Sequence, residues 1–381
     1  MVFQNNVLLG GSGAGTTTHT IDQSIRFNDD DSPYLQKTYS GAGSRTTFTF
    51  SVWTKLGDYN VGSGYPFFNG GSGTSDTTWS GFGFYQGKIY AQGFNTNYRI
   101  STRILRDPAA WYHIVYVWDT TNAVADERVR VYVNGVRLTE FSTFNNPSAS
   151  ANSGMNQAAV HTIGYQSRVV GYGYADAYMA EIVFLDGTAT DCNSFGEFND
   201  SGIWVPKDVS GLTFGTNGFH IDGRDSADLG DDESGNGNDF TTSGLAAHDQ
   251  VPDSPTNNFC VMNPIDKRYN SLSEGNLKTT GGSNNVGGRA TMGFKSGKWY
   301  WEMYVNTNSD GYPGGGIVYP NYALGSNDFY GGGTADGAGA SHNRERWYVQ
   351  STSYTAYGSN PSSGDIYMYA LDRDNNKIFW G

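Results

Sequence analysis

The side chains with chemistry to offer are carboxylates, histidines, serines in glycine-rich surroundings, and a large set of aromatic rings. Glycoside hydrolysis needs two carboxylates, about 5–5.5 Å apart for retention or about 6.5–9.5 Å for inversion. Carboxylates two residues apart share one face of a β-strand, so a strand of the form E-x-D-x-x-E would announce such a pair. The chain has none. Glu181 stands alone in Tyr178-Met-Ala-Glu-Ile-Val, Glu197 lies in Phe195-Gly-Glu-Phe-Asn-Asp, and Glu302 sits between Trp301 and Met303. Each reads as an ion-pair or turn residue, although a pair assembled from distant strands would leave no trace in the sequence. No G-x-S-x-G elbow presents a nucleophilic serine. The histidines (His19, His113, His161, His220, His248, His342) show no partner spacing, and His113, inside an apolar stretch, reads as a satisfied core residue. The glycine runs 10–15 and 331–337 lack the Lys-Ser/Thr and helix start that a phosphate cradle requires.

The rings offer a different chemistry. Tyr and Trp stack on the apolar C–H faces of sugars, and such rigid side chains lose little entropy on binding. The candidates in loop-like stretches are Trp79 with Tyr85, Tyr98 beside Arg99, and Tyr165, Arg168, Tyr172 and Tyr174. The competing reading packs these rings inside a sandwich or an oligomer interface. Trp53, Trp111, Trp118, Trp299 and Trp301 fall in strand patterns and are assigned to the core.

Strands must position these residues. In residues 47–54 Phe48, Phe50 and Val52 alternate with Thr49, Ser51 and Trp53. Residues 111–119 are apolar or aromatic on both faces, as a central sandwich strand would be. Residues 128–138 predict a hairpin, because Asn134-Gly135 supplies the positive φ angles of a type I′ turn. Val129, Val131 and Val133 should point inward, with Arg128, Arg130 and Tyr132 outward. Residues 178–187 close this set. Residues 191–262 are polar and rich in Gly, Asp and Asn, and read as a connector with few strand patterns, 212–222 being a candidate. Strand patterns resume at 298–305, 346–350 and 365–372, and the run ends in a strand at 378–381 whose partner would have to follow or come from another chain.

Composition agrees. With 52 Gly, 26 Tyr, 21 Phe and 9 Trp in 381 residues, long helices are disfavoured. At 15% aromatic the chain is also unlike a disordered one. Lys and Arg number 24 against 37 Asp and Glu, a net charge of −13. That excludes a generic nucleic-acid binder, which needs cationic surface, and attraction to an anionic membrane. No apolar run is long enough for a transmembrane helix, and the amino end lacks the basic flank and apolar core of a secretory signal. Cys192 and Cys260 read as unpaired small hydrophobes.

Two stretches resemble known families. Residues 24–190 resemble the LamG-like group of concanavalin A-type jelly rolls, through Ser24-Ile-Arg-Phe-Asn-Asp-Asp-Asp-Ser-Pro-Tyr-Leu, Phe50-Ser-Val-Trp-Thr-Lys, Trp111-Tyr-His-Ile-Val-Tyr-Val-Trp-Asp, Val131-Tyr-Val-Asn-Gly and Ala180-Glu-Ile-Val-Phe-Leu-Asp. Residues 263–381 resemble an incomplete SPRY domain, through Ser296-Gly-Lys-Trp-Tyr-Trp-Glu and the run 364–381. The pair behind a Met-x-Phe-Gln-Asn-Asn leader is similar to bacteriophage tail-fibre and other virion structural proteins.

The resemblance implies an all-β fold of two concanavalin A-like jelly-roll sandwiches. A flexible leader over 1–22 would attach to other virion proteins. A LamG-like sandwich would span 23–190, an Asp/Gly-rich connector 191–262 and a SPRY-like sandwich 263–381. The expected function is non-catalytic adhesion to a bacterial surface glycan or receptor from an external appendage of the virion, as a homotrimer assembled in the host cytoplasm. An architectural connector or decoration protein and a polysaccharide depolymerase are the alternatives. No cofactor is expected except Ca²⁺, for which Asp29 and Asp31 lie where some LamG-type domains hold the ion. The competing reading of that acidic stretch is a solvated turn, and the acidic run 222–239 lacks EF-hand spacing.

Overall fold

The computed structural model describes residues 19–57, 64–166, 173–268, 270–281, 287–308, 314–318, 337–340, 345–347, 354–356 and 362–381. The chain divides into two units, Val7–Asn258 and Phe259–Gly381. Among the described residues there is no α-helix.

The strands of the first unit begin with β1 (Ser24–Phe27), β2 (Tyr34–Thr38), β3 (Thr47–Leu56), β4 (Tyr65–Gly71), β5 (Trp79–Tyr85) and β6 (Lys88–Gly93). There follow β7 (Asn97–Ile104), β8 (Trp111–Asp119), β9 (Val129–Val133), β10 (Val136–Arg137), β11 (Phe141–Phe144) and β12 (Val160–Ile163). The set ends with β13 (Ala177–Asp186), β14 (Gly196–Phe198), β15 (Trp204–Pro206), β16 (Phe219–Ile221), β17 (Thr241–Ser243) and β18 (Gln250–Val251). One sheet has the order β10-β9-β8-β3-β13-β1-β18, with β16 also paired to β13; the other runs β11-β7-β6-β5-β4-β12-β2-β17. Their facing sides enclose a jelly-roll core that includes Phe27, Phe48, Phe50, Phe68, Phe82 and Phe184.

The central strands of the first sheet are apolar on both faces. Phe48, Phe50 and Val52 face the second sheet, while Trp53, Val115, Val117 and Val183 form a separate cluster on the opposite side. Exposed, that second face would be a large apolar patch. Cys192, Phe195, Trp204, Val209 and Phe214 cover it.

This covering corrects the expected connector. Residues 191–258 supply β16, β17 and β18, which pair antiparallel with β13, β2 and β1. Phe219, Ile221, Leu229 and Phe240 enter the core between the sheets. The segment belongs to the sandwich. Its acidic residues serve as turn formers: Asp222, Asp225, Asp228 and Asp232 each accept the backbone N–H two residues on. Phe219-His-Ile falls within the candidate strand 212–222, whereas Trp204-Val-Pro is too short to show a period. The expected leader is corrected at one end only. Residues 1–18 lie outside the described residues, but Ile21 is buried, its N–H donates to Thr256 Oγ1 at 3.0 Å and its carbonyl accepts from the same hydroxyl at 2.7 Å.

The hairpin forms as the residues predict. Asn134 and Gly135 have φ of 47° and 78° between β9 and β10, and Val129, Val131 and Val133 are buried. Asn134 Oδ1 also accepts from the His113 N–H at 2.7 Å, tying the turn to β8.

In the second unit Lys298–Tyr304, Ile366–Asp372 and Lys377–Trp380 form a three-stranded antiparallel sheet. Trp301 and Tyr369 stack at 5.1 Å in its core, with Cys260 and Leu371. The opposite face leaves Tyr300, Tyr304, Ile366, Met368 and Phe379 exposed.

Two outcomes test this architecture. A side chain at position 135 would meet both a positive φ and Trp204, whose Cε3 lies 2.2 Å from the place of a Cβ. Gly135→Val should therefore cost about 1–3 kcal/mol or more in thermal unfolding, whereas a silent change would remove the turn assignment. Phe219→Ala should cost about 3–5 kcal/mol, as expected of a ring lost from the sandwich core.

Candidate functional site

Three half-buried tyrosines gather at one place on the first unit. Tyr34 opens β2, and Tyr165 and Tyr174 form an isolated antiparallel bridge beyond β12. The Tyr165 and Tyr174 rings stack at 4.3 Å and 14°, and Tyr34 lies 5.3 Å from the first and 6.4 Å from the second. The backbone beneath is fixed by polar contacts. The Tyr165 carbonyl accepts from Asn69 Nδ2 at 2.8 Å and from Thr162 Oγ1 at 2.7 Å. A cluster of this kind presents ring faces and edges beside hydroxyls, which is the chemistry of sugar stacking.

Of the residues singled out in the sequence, Tyr165 and Tyr174 are thus brought together, and Tyr34 joins them. Arg168 and Tyr172 lie outside the described residues. Trp79 and Tyr98 are corrected: neither is an exposed loop ring. Trp79 is a fully buried residue of β5, and Tyr98 in β7 is buried with its ring edge-on to Trp118 at 5.2 Å. The glycines around Trp79 resembled a loop, but they let neighbouring segments close on the strand. A Cβ on Gly154 would meet the Trp79 backbone at 2.2 Å. Tyr85 is half-buried at the end of β5, with its hydroxyl 3.3 Å from Gln86 Nε2.

Asp29, Asp30 and Asp31 form one 3-10 turn with exposed side chains, and Asp31 Oδ2 accepts from Asn28 Nδ2 at 2.7 Å. Among the described residues no group of three or more His, Cys, Asp or Glu side chains is placed to hold a metal ion.

A second polar cluster, unread in the sequence, surrounds Glu181. The register of β13 against β3 slips between Ala180 and Val183, so Glu181 is the extra residue of a β-bulge, with φ of 47°. The bulge restores side-chain alternation, since Met179 and Ile182 both reach the core between the sheets while Ala180 and Val183 both face the cover. His220 Nε2 lies 2.8 Å from Glu181 Oε2, and His19 Nε2 lies 3.8 Å from Oε1. Burial alone would raise the Glu181 carboxyl, but the two imidazoles outweigh it and bring its pKa down to about 2. The Glu181 contact raises His19; burial pushes His220 down, yet Glu181, Asp222 and Glu233 leave it raised. Ser51, Trp53, Phe195, Lys207 and Val209 line the narrow crevice beside this carboxylate.

Nearby, Ser51 Oγ and His113 Nε2 are 2.8 Å apart, a spacing that resembles an activated serine. Trp204 Nε1 donates to His113 Nδ1 at 3.0 Å, so the ring proton sits on Nε2 and is donated to Ser51. Burial holds the His113 pKa down at about 3. This imidazole has no lone pair aimed at the serine and cannot serve as its base. His113 is a satisfied core histidine, stacked on Trp53 at 4.6 Å.

The Glu181 cluster sets a pH dependence. The lowered carboxyl pKa contributes stability above its ordinary 4.5, lost as the pH falls toward about 2. The raised histidine pKa values contribute below their ordinary 6.5, lost as the pH rises through the folded values. Thermal stability should therefore fall from about pH 6 to pH 8, and Glu181→Gln should flatten that slope. His220→Leu, which takes the closer of two imidazole partners from the buried carboxylate, should cost about 3 kcal/mol at pH 6.

Comparison with known proteins bears on the fold. Residues 29–192 match the family model Laminin_G_3, described as the concanavalin A-like lectin/glucanases superfamily. No curated protein sequence matches the chain. Among solved structures the chain is similar to a putative carbohydrate binding protein from Bacteroides ovatus, at 16% identity and TM-score 0.40, over 61% of this chain and 60% of that one. It spans, then, less than two thirds of that protein. A heptameric pentraxin from Limulus polyphemus matches at 16% identity and TM-score 0.33, over 46% and 80% of the two chains. Domains LG4-5 of the mouse laminin alpha1 chain match at 11% identity and TM-score 0.33, over 55% and 49%. The first unit is an antiparallel sandwich of jelly-roll type, and residues 29–192 within it match the laminin G-type model of the concanavalin A-like lectin/glucanases superfamily.

Proposed function

We propose that the protein is a non-catalytic glycan-recognition module, and that its place is an external appendage of a bacteriophage particle. The observation that carries the first part is the cluster of Tyr34, Tyr165 and Tyr174 on a lectin-type sandwich. The resemblance of the leader and motif order to tail-fibre proteins supports the second. In that setting a bacterial surface polysaccharide is the ligand. A trimer would multiply weak contacts through effective concentration.

A second reading, architectural attachment to other virion proteins, draws on one feature. The exposed Tyr300, Tyr304, Ile366, Met368 and Phe379 make an apolar sheet face in the Phe259–Gly381 unit, where the SPRY-like motifs lie.

A glycan array with the full chain separates the readings. Binding to host polysaccharide should weaken about tenfold in Tyr174→Ala and in Tyr34→Ala, because one aromatic contact is worth about 0.5–1.5 kcal/mol and about 1.4 kcal/mol is a factor of ten. The melting temperature should stay close to the wild-type value. Absence of polysaccharide binding at any valency favours the architectural reading. Release of reducing sugar by the wild-type chain, abolished by one carboxylate substitution, ends the non-catalytic reading.

A further inference from the structure

Lys55, near the end of β3, is fully buried, and its Nζ touches two side chains from the far end of the unit. It lies 2.8 Å from Asp253 Oδ2 and 2.9 Å from Asn258 Oδ1. Both partners are held in place. Trp111 Nε1 donates to Asp253 Oδ1 at 3.0 Å, Ser24 Oγ donates to the Asp253 carbonyl at 2.6 Å, and Asn258 Nδ2 donates to the Ala109 carbonyl at 2.7 Å. The Tyr178 ring lies 5.8 Å from Nζ. An amine, a carboxamide and a carboxylate that can move protons between them are the reactants and the acid–base group for making an amide. Fixed contact, with Lys55 and Asp253 both buried, replaces a bimolecular encounter.

We propose that Lys55 and Asn258 form an intramolecular isopeptide bond, assisted by Asp253. One proton passes from the Lys55 ammonium to Asp253 Oδ2, leaving a neutral amine and a carboxyl. The amine lone pair attacks Asn258 Cγ, forming the C–N bond, while the Asp253 carboxyl gives its proton to the oxygen that becomes negative. Collapse of the tetrahedral adduct breaks the Cγ–Nδ2 bond. Asp253 relays the amine's remaining excess proton to the departing nitrogen, then passes it the hydroxyl proton as the carbonyl re-forms, so that ammonium leaves and Asp253 ends as a carboxylate. The balance is an ammonium plus a primary amide giving a secondary amide plus an ammonium ion, with no oxidant or further reactant. The bond closes a span of 203 residues, from β3 to the last residue of the Val7–Asn258 unit. It constrains the unfolded chain as a long-range disulfide would, without a redox liability.

Intact-mass spectrometry of the purified full chain tests the bond. The wild type should weigh one ammonia less than its sequence, and proteolysis after denaturation should release a branched peptide carrying Lys55 and Asn258. Lys55→Arg, Asn258→Ala and Asp253→Asn should show no loss, and Asn258→Asp should lose water in place of ammonia. A folded wild-type chain that keeps its full mass after prolonged incubation overturns the proposal. So does an ammonia loss that maps to an Asn-Gly succinimide with no branched peptide. Because the principal readout is on the wild type, variants that fail to fold do not decide the outcome.

Discussion

Strands β3, β8 and β13 carry large apolar side chains on both faces, and most of the first unit follows from that constraint. A single opposing sheet hides only one of the two faces. The second face, with Trp53, Trp111, Val115, Val117 and Val183, must be covered by chain from elsewhere, and residues 192–214 provide the cover. The cover explains why Trp204 reaches His113 and the Asn134-Gly135 turn, and why Glu181, on a strand of the sheet interior, is sealed beneath Phe195 and Val209.

Closing a sandwich this way traps polar groups, and a trapped charge is tolerated only with a partner. Three of them find a counterpart across a long sequence interval: Arg26 with Asp249 at 3.0 Å, Lys55 with Asp253 at 2.8 Å, and Glu181 with His220 at 2.8 Å. Asp186 is satisfied without a cation, by Ser44 N–H, Asn156 Nδ2 and Asn217 N–H at 2.7, 2.6 and 3.0 Å. In the first three cases the partner comes from 220–253. The polar segment is thus what neutralises the interior charge of the sheet. Removing it would expose apolar surface and strand several buried ions together.

The same arrangement separates rigid from recognitive parts. Buried ion pairs and hydrogen bonds that join distant segments fix one packing, which suits a scaffold. The three tyrosines pack on one another apart from these pairs, with the Tyr165 carbonyl as their anchor. The result is a locked sandwich with aromatic side chains held beside it by backbone contacts.

The sequence alone determined the all-β class, the alternation of β3, the two-faced character of β8 and the Asn134-Gly135 turn, because these are properties of neighbouring residues: period, propensity and positive φ. It also singled out Tyr165 and Tyr174, whose rings the structure brings into a stack. It misread Trp79 and Tyr98, since glycine-rich composition marks a tight strand contact as readily as a loop. The tertiary structure decided the rest. The Glu181 bulge, its two histidines, the Lys55 contacts and the membership of 191–258 in the sandwich all join residues far apart in the chain. Local patterning carries no record of such pairings, because the energy that fixes them arises only when the layers close and water leaves.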